Sequence, residues 1–562
     1  MWLALGYGLD RFAGAASAVG VLSVVLSVLQ LGLWLLLLAA SAHLLKLGLW
    51  ALRSGPGRTV TVAGAAPPWA EAEAPLVTVQ LPMRNERFVA RRAIEAACAL
   101  SWPRERLQVQ VLDDSDDDTV AVVDAAVAEL QQRGHDVTVV RRRERTSFKA
   151  GHLDYALPSA RGEFIAVLDA DFVPPADFLR RLVPELASDP QLAFVQGRWA
   201  FLNEDRNLLT RVQALILYGL MLVEQAYLSA HGRPVQFNGS GGIWARRALL
   251  AAGGWVGAGP AAAEEGGEGG DGGARAAARA RPPTASVTED LDLSYRVHLL
   301  GYRSRHLPEV AVPTELPETM AAFRSQQQRW VRGGAQVLRS LLYKLRGGTL
   351  TAKERLTMLG HLLRHARQPY LLLSLLWLPV VGLGLLQPAY SPPGGLLGGV
   401  VLLHAALFIY YGAALRRAGR AVLPALALAP LVVGLSMGLS VSLTVALWRG
   451  VLGGRAAAEF VRTPKTGGGL PAEPPADPPA HPPAPPASAG PGSRLGDKPA
   501  RARAYRPVRD TLARVEVVLG LAYLGLAAVA LLRGQVLAAL GLGALVAAGL
   551  LWVGLGSLRS AP

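Results

Sequence analysis

Apolar runs crowd both ends of this chain and leave a long stretch of different pattern between them, and that arrangement limits what it can fold into. Residues 18–45 carry no charge and exceed the roughly 20 residues that span a bilayer as a helix. No basic segment with a small-residue cleavage site precedes them, so they read as an anchor and not a removed signal. Lys46, Arg53 and Arg58 follow. Basic residues flank the cytosolic side of a span, which predicts the N-terminus outside and the chain from residue 50 onward inside. Further spans are expected at 369–386, 396–415, 515–532 and 535–553, with Arg416, Arg417 and Arg420 marking a cytosolic turn. Residues 421–447 are also apolar. If they crossed, Arg449, Arg455, Arg462, Lys465, Arg501, Arg503, Arg506 and Arg509 would all lie outside, against the charge rule. An interfacial or re-entrant segment broken by Pro424, Pro430 and several glycines is therefore expected. That gives five crossings and an inside C-terminus; six full spans are the alternative.

With 562 residues the chain exceeds one typical domain. Hydrophobic residues make up 51% and charged residues only 18%, the balance of a membrane protein with a sizeable soluble part. The net charge of +15 would suit nucleic acid, but the arginines cluster beside the apolar runs, so a lipid bilayer is the expected partner and nucleic acid is not. The single cysteine, Cys98, excludes an internal disulfide framework and a cysteine-based metal site. The Gly/Ala/Glu-rich 257–285 and the Pro/Ala-rich 466–500 lack the apolar content to offset ordering and are expected to be disordered.

Between residues 70 and 345 short runs rich in β-branched residues, LVTVQLPM, LQVQVLDD, HDVTVVRR and EFIAVLDADF, alternate with helical stretches at 88–100 and 118–133. Such alternation predicts an α/β fold with an open, mostly parallel twisted sheet, which binds ligands at the carboxyl ends of its strands. Polar clusters stand at those ends: Arg84-Asn85-Glu86, Asp113-Asp114, and Asp169-Ala170-Asp171. Neither GxGxxG after the first strand nor GxxxxGK[ST] occurs, which argues against a dinucleotide fold and a P-loop.

Asp169 and Asp171 are two residues apart at the end of an apolar run. With a side-chain period of two, both can face one way and offer oxygens to Mg²⁺ or Mn²⁺; a solvated turn is the plainer reading of DADFVP. A carboxylate of Asp113 or Asp114 could accept hydrogen bonds from a nucleobase or ribose, although the following acids also read as helix caps. Lys149, at a predicted helix start, could meet a phosphate or be a surface lysine. Glu289, Asp290 and Asp292 of SVTEDLDLSYR open another predicted helix, with Thr288 as its cap.

The order DDS, KAG, DAD, FNGSGGIW, TED and QQQRW along residues 75–345 resembles the family 2 glycosyltransferases. Within them it is similar to the processive membrane synthases, bacterial cellulose synthase and, more closely, the cellulose-synthase-like A glucomannan/mannan synthases, on VQLPMRNE, WPRERLQVQVLDDS, FVQGRWAFLNED, VTEDLDLSYR and QQQRWVRG. FVRTPK resembles their F-x-x-T-x-K gating loop. The resemblance implies a GT-A-like fold. It gives Asp113 or Asp114 to the nucleotide, Lys149 and Arg329 to its diphosphate, Asp169 and Asp171 to the metal, and Asp290 to the role of general base. It also implies acceptor contacts from Asn238, Gly239, Ser240, Glu289, Gln326 and Trp330, and a gating loop carrying Phe460, Thr463 and Lys465. Gln196 and Trp199 are further candidate sugar contacts, with burial the equal alternative for Trp199. Arg84 and Asp116 depart from the family pattern.

The resulting expectation is an inverting, processive glycosyltransferase of a bacterial-type inner membrane, using UDP-glucose or GDP-mannose to extend a β-linked hexose polymer and move it across the membrane. The organisation is an N-terminal transmembrane helix (1–50), a cytosolic catalytic domain (70–345), transmembrane and interfacial helices (346–455), a cytosolic loop (456–512) and C-terminal transmembrane helices (513–562). A growing glycan and accessory export proteins are the other expected partners. Transfer of a single sugar to a lipid, or a degenerate scaffold, are the rival readings.

Overall fold

The computed structural model describes residues 18–55, 69–257, 288–342, 345, 350–386, 395–453 and 511–559. The inserted segment after Gly257, the Pro-rich stretch, and Phe460, Thr463 and Lys465 of FVRTPK therefore lie outside the described residues.

Among the described residues, seven strands form one sheet in the order β3-β2-β1-β4-β6-β5-β7. They are β1 Val77–Met83, β2 Leu107–Asp113, β3 Val137–Val140, β4 Phe164–Val167, β5 Leu192–Phe201, β6 Gly242–Ala245 and β7 Arg303–Thr314. The four predicted strands occur as β1 to β4 and both predicted helices as Ala90–Cys98 and Thr119–Gln132, while β5, β6 and β7 were not predicted. Along β1 both alternating sets are buried, Val77, Val79 and Leu81 as well as Thr78 and Gln80, so both faces of the sheet are covered. The polar set is satisfied across the strands: Thr78 Oγ1 donates to Gln108 Oε1 at 2.8 Å and Gln80 Nε2 to Gln110 Oε1 at 3.0 Å.

Every strand but β6 points the same way, since β6 is antiparallel to both neighbours and the remaining pairs are parallel. Carboxyl ends of parallel strands carry Asp113, Arg141 and the Asp169 turn to one edge. The reversed β6 brings its amino end, with Asn238–Gly241 before it, to that same edge through Val167↔Gly242 pairing. One antiparallel strand thus joins motifs that lie some 70 residues apart.

Among the described residues, six helices are long and apolar enough to cross a membrane, which makes this a membrane protein. Four coincide with expected spans. Leu208–Ala230 is a fifth, but most of it is buried inside the protein. The sixth corrects the sequence expectation: residues 421–447 are not broken, because Pro424–Leu452 is one helix running through Pro430. Pro424 sits at the helix start, where its missing N–H costs nothing, and Pro430 removes only one bond near the beginning. Residues 369–386 form a shorter helix than expected, Arg367–Gly382, of 16 residues.

The helices keep a consistent polarity. Gly399 lies against Trp34 and Leu37, and Gly48 against Ile409 and Tyr410, so the helices Ala18–Arg53 and Gly395–Arg417 run parallel and end together. At that shared end Arg417 donates to Ala51 O, Gly55 O and Leu222 O. In the C-terminal pair Gly554 meets Ala513 and Val517 while Gly520 meets Leu551, an antiparallel hairpin whose open end touches Met320 through Gly556. Pro424–Leu452 is different. It spans about 43 Å at 1.5 Å per residue, yet both of its ends contact the side on which the sheet lies. Arg420, just before it, pairs with Glu204; at the other end Arg339 donates to Val451 O at 3.2 Å and Gly453 O at 3.1 Å.

Candidate active site

Strand β4 stops at Val167, so strand alternation does not place Asp169 and Asp171; a turn does. Gly241 N–H donates to Val167 O, and Asp169 N–H donates to Ser240 Oγ at 2.8 Å. These bonds fasten the DAD turn to the NGS loop. Lys149 Nζ lies 2.6 Å from Asp169 Oδ1, donates to Gly239 O at 2.9 Å, and is 3.8 Å from Glu289 Oε1. Gly239 has φ +86°, and a Cβ there would stand 3.1 Å from Asp290 Oδ2, so only glycine lets the loop pass under that carboxylate. Five residues from four separate motifs therefore share one small volume.

The acids after the insertion split into two kinds. Asp292, in the helix Glu289–Leu299, is buried and pairs with Arg296 at 2.7 Å. Arg296 also donates to the carbonyls of Ala252, Gly254 and Trp255, which ties this helix to the residues before the insertion. Glu289 and Asp290 face Lys149 instead. Thr288 occupies the cap position without a side-chain capping bond; Asp290 Oδ1 accepts the Leu291 N–H at 2.8 Å. Burial, reinforced by the neighbouring Glu289 charge, pushes Asp290 up to about 7, and burial raises Glu289 as well. Burial alone would lower Lys149, but Asp169, Glu289 and Asp290 outweigh it and hold its ammonium above the ordinary lysine value. Both directions follow from crowding like and unlike charges away from water.

Asp171 is buried, and its Oδ2 accepts the Thr314 hydroxyl at 2.6 Å, so it and Asp169 have different partners. Asp113 Oδ2 receives Arg141 at 2.8 Å while its Oδ1 accepts the Ser115 N–H. Asp114 is gripped by Arg142 at 2.8 Å, with His152 at 3.2 Å. Burial would raise Asp114, but the His152 and Arg142 hydrogen bonds outweigh it and hold its pKa below the usual value. A nucleotide reaching either acid would meet it together with its arginine. The two departures from the family pattern prove to be partners: Arg84 pairs with Asp116 at 3.3 Å, and Asn85 exchanges hydrogen bonds with Asp116.

Gln326, Arg329 and Trp330 lie on the helix Met320–Leu341, half-buried. Burial lowers the Arg329 pKa, and the charges of Glu289, Asp169 and Asp290 oppose that shift, which puts the guanidinium within electrostatic range of the acid cluster. One turn on, Gly333 packs against Thr288, joining this helix to the TED segment.

Gln196 is completely buried and cannot be the sugar contact expected of it. Its Nε2 donates to Gln236 O and to Gln225 Oε1, and its Oε1 accepts the Asn238 N–H at 3.0 Å; Gln225 Nε2 donates to Asn238 Oδ1 at 2.9 Å. These amides hold the NGS loop from below. Trp199 braces it from the side, donating Nε1–H to Ser240 O at 3.2 Å. Ser240 is itself buried, so its hydroxyl supports Asp169. Sequence reading missed Gln225 and Arg142. Gln225 ends a π-helical turn, Gly219–Gln225, inside an otherwise apolar helix, and such turns concentrate at functional sites. Arg142 sits in RRRER, which looks like a solvated charge run, yet its side chain is only 4% exposed.

Residues 74–333 match the sequence family described as glycosyltransferase like family 2. The chain is 38% identical over 275 residues to glucomannan 4-beta-mannosyltransferase 2 of Arabidopsis thaliana, covering 48% of this chain and 46% of that protein. It is 37% identical over 284 residues to probable glucomannan 4-beta-mannosyltransferase 7 of Oryza sativa subsp. japonica, covering 50% and 44%. The chain thus spans about half the length of the curated relatives it matches. Among solved structures, the mannosyltransferase PcManGT from Pyrobaculum calidifontis, in complex with GDP-Man and Mn²⁺, aligns at 22% identity and a TM-score of 0.47 over 70% of this chain and 97% of that one. The described residues carry a mixed, mostly parallel sheet of the open α/β kind, as expected.

Proposed function

We propose that the chain is an inverting, processive glycosyltransferase that extends a β-linked hexose polymer from a sugar nucleotide, with its catalytic domain on the inner face of a membrane. The observation that carries this reading is the meeting of Lys149, Asp169, Glu289 and Asp290 at one sheet edge, with Asp290 raised to about 7. A carboxylate of that strength is suited to take the proton from an acceptor hydroxyl near neutral pH. With the base opposite the leaving nucleoside diphosphate, the anomeric centre inverts, and an α-linked donor yields a β-linked product.

The residues fit a hard divalent cation, Mg²⁺ or Mn²⁺. Their donors are carboxylate oxygens, and the Asp169 side chain remains 37% exposed. Among the described residues no three His, Cys, Asp or Glu side chains gather into a cage, so Asp169, with Asp171 beside it, would share the ion with donor diphosphate oxygens. Once bound, such an ion neutralises charge on the leaving group. Lys149 and Arg329 hold the diphosphate, Asp113 or Asp114 with their arginines meet the nucleoside, and Asn238, Gly239, Glu289, Gln326 and Trp330 line the acceptor side. Ser240 acts through Asp169. The names of the relatives favour mannosyl transfer, hence GDP-mannose first and UDP-glucose second.

The helix polarities favour five crossings. Pro424–Leu452, with both ends on the side of the sheet, would start and finish at the inner face and so leave the FVRTPK loop there. Phe460, Thr463 and Lys465 would then gate the site, and the crossing helices would receive the polymer. Membranes given labelled GDP-mannose or UDP-glucose with Mg²⁺ or Mn²⁺, followed by linkage-specific glycosidase digestion, test the reading. A β-linked polymer lost in Asp290→Asn supports it; a product of one sugar on lipid overturns processivity, and no transfer from either donor overturns the choice of donors.

A further inference from the structure

We propose that Lys149 is the resident counter-ion of Asp169, and that a divalent cation gains Asp169 only when a nucleoside diphosphate draws Lys149 away. This rests on the donor-site reading above and deepens it by assigning an order to ligand binding. Three observations carry it. The Lys149 ammonium is already 2.6 Å from Asp169 Oδ1, the position a second cation would have to share, and two cations on one carboxylate oxygen repel. The turn that delivers Lys149 runs through left-handed backbone at two consecutive non-glycine residues, Ser147 (φ 54°) and Phe148 (φ 46°), a conformation that persists only under external restraint. That restraint is Arg142, which donates to Thr146 O and Phe148 O at 2.6 Å each while its other contacts grip Asp114 at 2.8 Å. The arginine that occupies a candidate nucleoside contact is thus the one that holds Lys149 on the candidate metal ligand. A nucleotide competing for Asp114 loosens the turn as its diphosphate offers the lysine new oxygens.

The test is Mn²⁺ binding followed by electron paramagnetic resonance on the full-length protein in lipid nanodiscs, with no donor sugar and no turnover. Mn²⁺ is titrated alone, with GDP, and with UDP. The native protein is expected to bind Mn²⁺ at least about tenfold more tightly with one of the two nucleotides, the change a 1.4 kcal/mol coupling makes. Lys149→Met should bind Mn²⁺ alone about tenfold more tightly than the native protein and lose most of the nucleotide-dependent gain. Lys149→Arg, which keeps the charge, should behave as native, and Asp169→Asn should lose the site. If the native protein shows the nucleotide gain but Lys149→Met binds Mn²⁺ alone no better, or Lys149→Arg gains as much as Lys149→Met, the counter-ion role is wrong and the donor site stands. If neither nucleotide improves Mn²⁺ binding to the native protein, the donor-site reading fails, and this proposal fails with it. A Lys149→Met protein that does not fold leaves Lys149→Gln to make the same comparison.

Discussion

Two ion pairs in this protein are built to opposite ends. Lys149 and Asp169 meet at the sheet edge with 21% and 37% of their side chains exposed, inside a cluster that also holds Glu289, Asp290 and the field of Arg329. Arg324 and Glu516 meet at 3.2 Å with 2% and 0% exposed, between the Met320–Leu341 helix and the C-terminal hairpin; Arg324 also reaches Ser557. The first pair has alternative partners within reach and water beside it, so its members can be exchanged. The second is sealed, and separating it strands a charge where water cannot follow. One helix carries the contrast: Arg324 anchors it to the membrane-side hairpin and Arg329, five residues on, addresses the acid cluster.

The largest effect should come from the exchangeable side. Asp290→Asn is expected to lower kcat by about 10²–10⁴, the range for removing a positioned general base, with an unchanged melting temperature. A parallel loss of stability would place Asp290 with the sealed pair. On the sealed side, Arg324→Met or Glu516→Leu alone should cost about 3–5 kcal/mol, whereas the double replacement should recover most of it. Thermal unfolding in nanodiscs measures this, and singles that unfold like native protein would erase the contrast.

A smaller effect sharpens the electrostatics of the cluster. Asp290 must be ionised to accept a proton, and its raised pKa means that it protonates as pH falls through about 7. kcat/KM should therefore fall as the solution is acidified through that value and level off above it. Glu289→Gln removes the like charge and should move the midpoint downward, whatever it does to the maximum rate; an unmoved midpoint would show that Glu289 does not set Asp290. Gly239→Ala should reduce activity through a forced Cβ at φ +86° beside Asp290 and destabilise by about 1 kcal/mol or more. Least of all, exchanging Arg84 and Asp116 should change stability by under about 1 kcal/mol, because the pair is 33% and 69% exposed.

The sheet, its first four strands and the chemistry of its edge were legible because β-branched runs, acids and glycines have local physical preferences that a string displays. Asp292 was not separable from Asp290 on that basis, since both read as first-turn acids; Arg296 and the carbonyls it binds decide the difference. Gln196 looked like a ligand contact and is a buried strut. Pro424–Leu452 looked broken because proline and glycine lower local propensity, yet packing along the Met320–Leu341 helix and the C-terminal hairpin keeps it whole.

By itself, then, the order of residues determined the membrane character, the α/β sheet and the roster of acids and bases, since hydropathy, periodicity and side-chain type belong to each segment alone. Only the tertiary structure decided which carboxylates meet which cations, because that depends on one reversed strand bringing Gly239 beside Asp290 and on the burial that lifts Asp290 to about 7. Charge interactions fall off with distance and strengthen out of water, and neither separation nor solvent exposure is written in a linear chain.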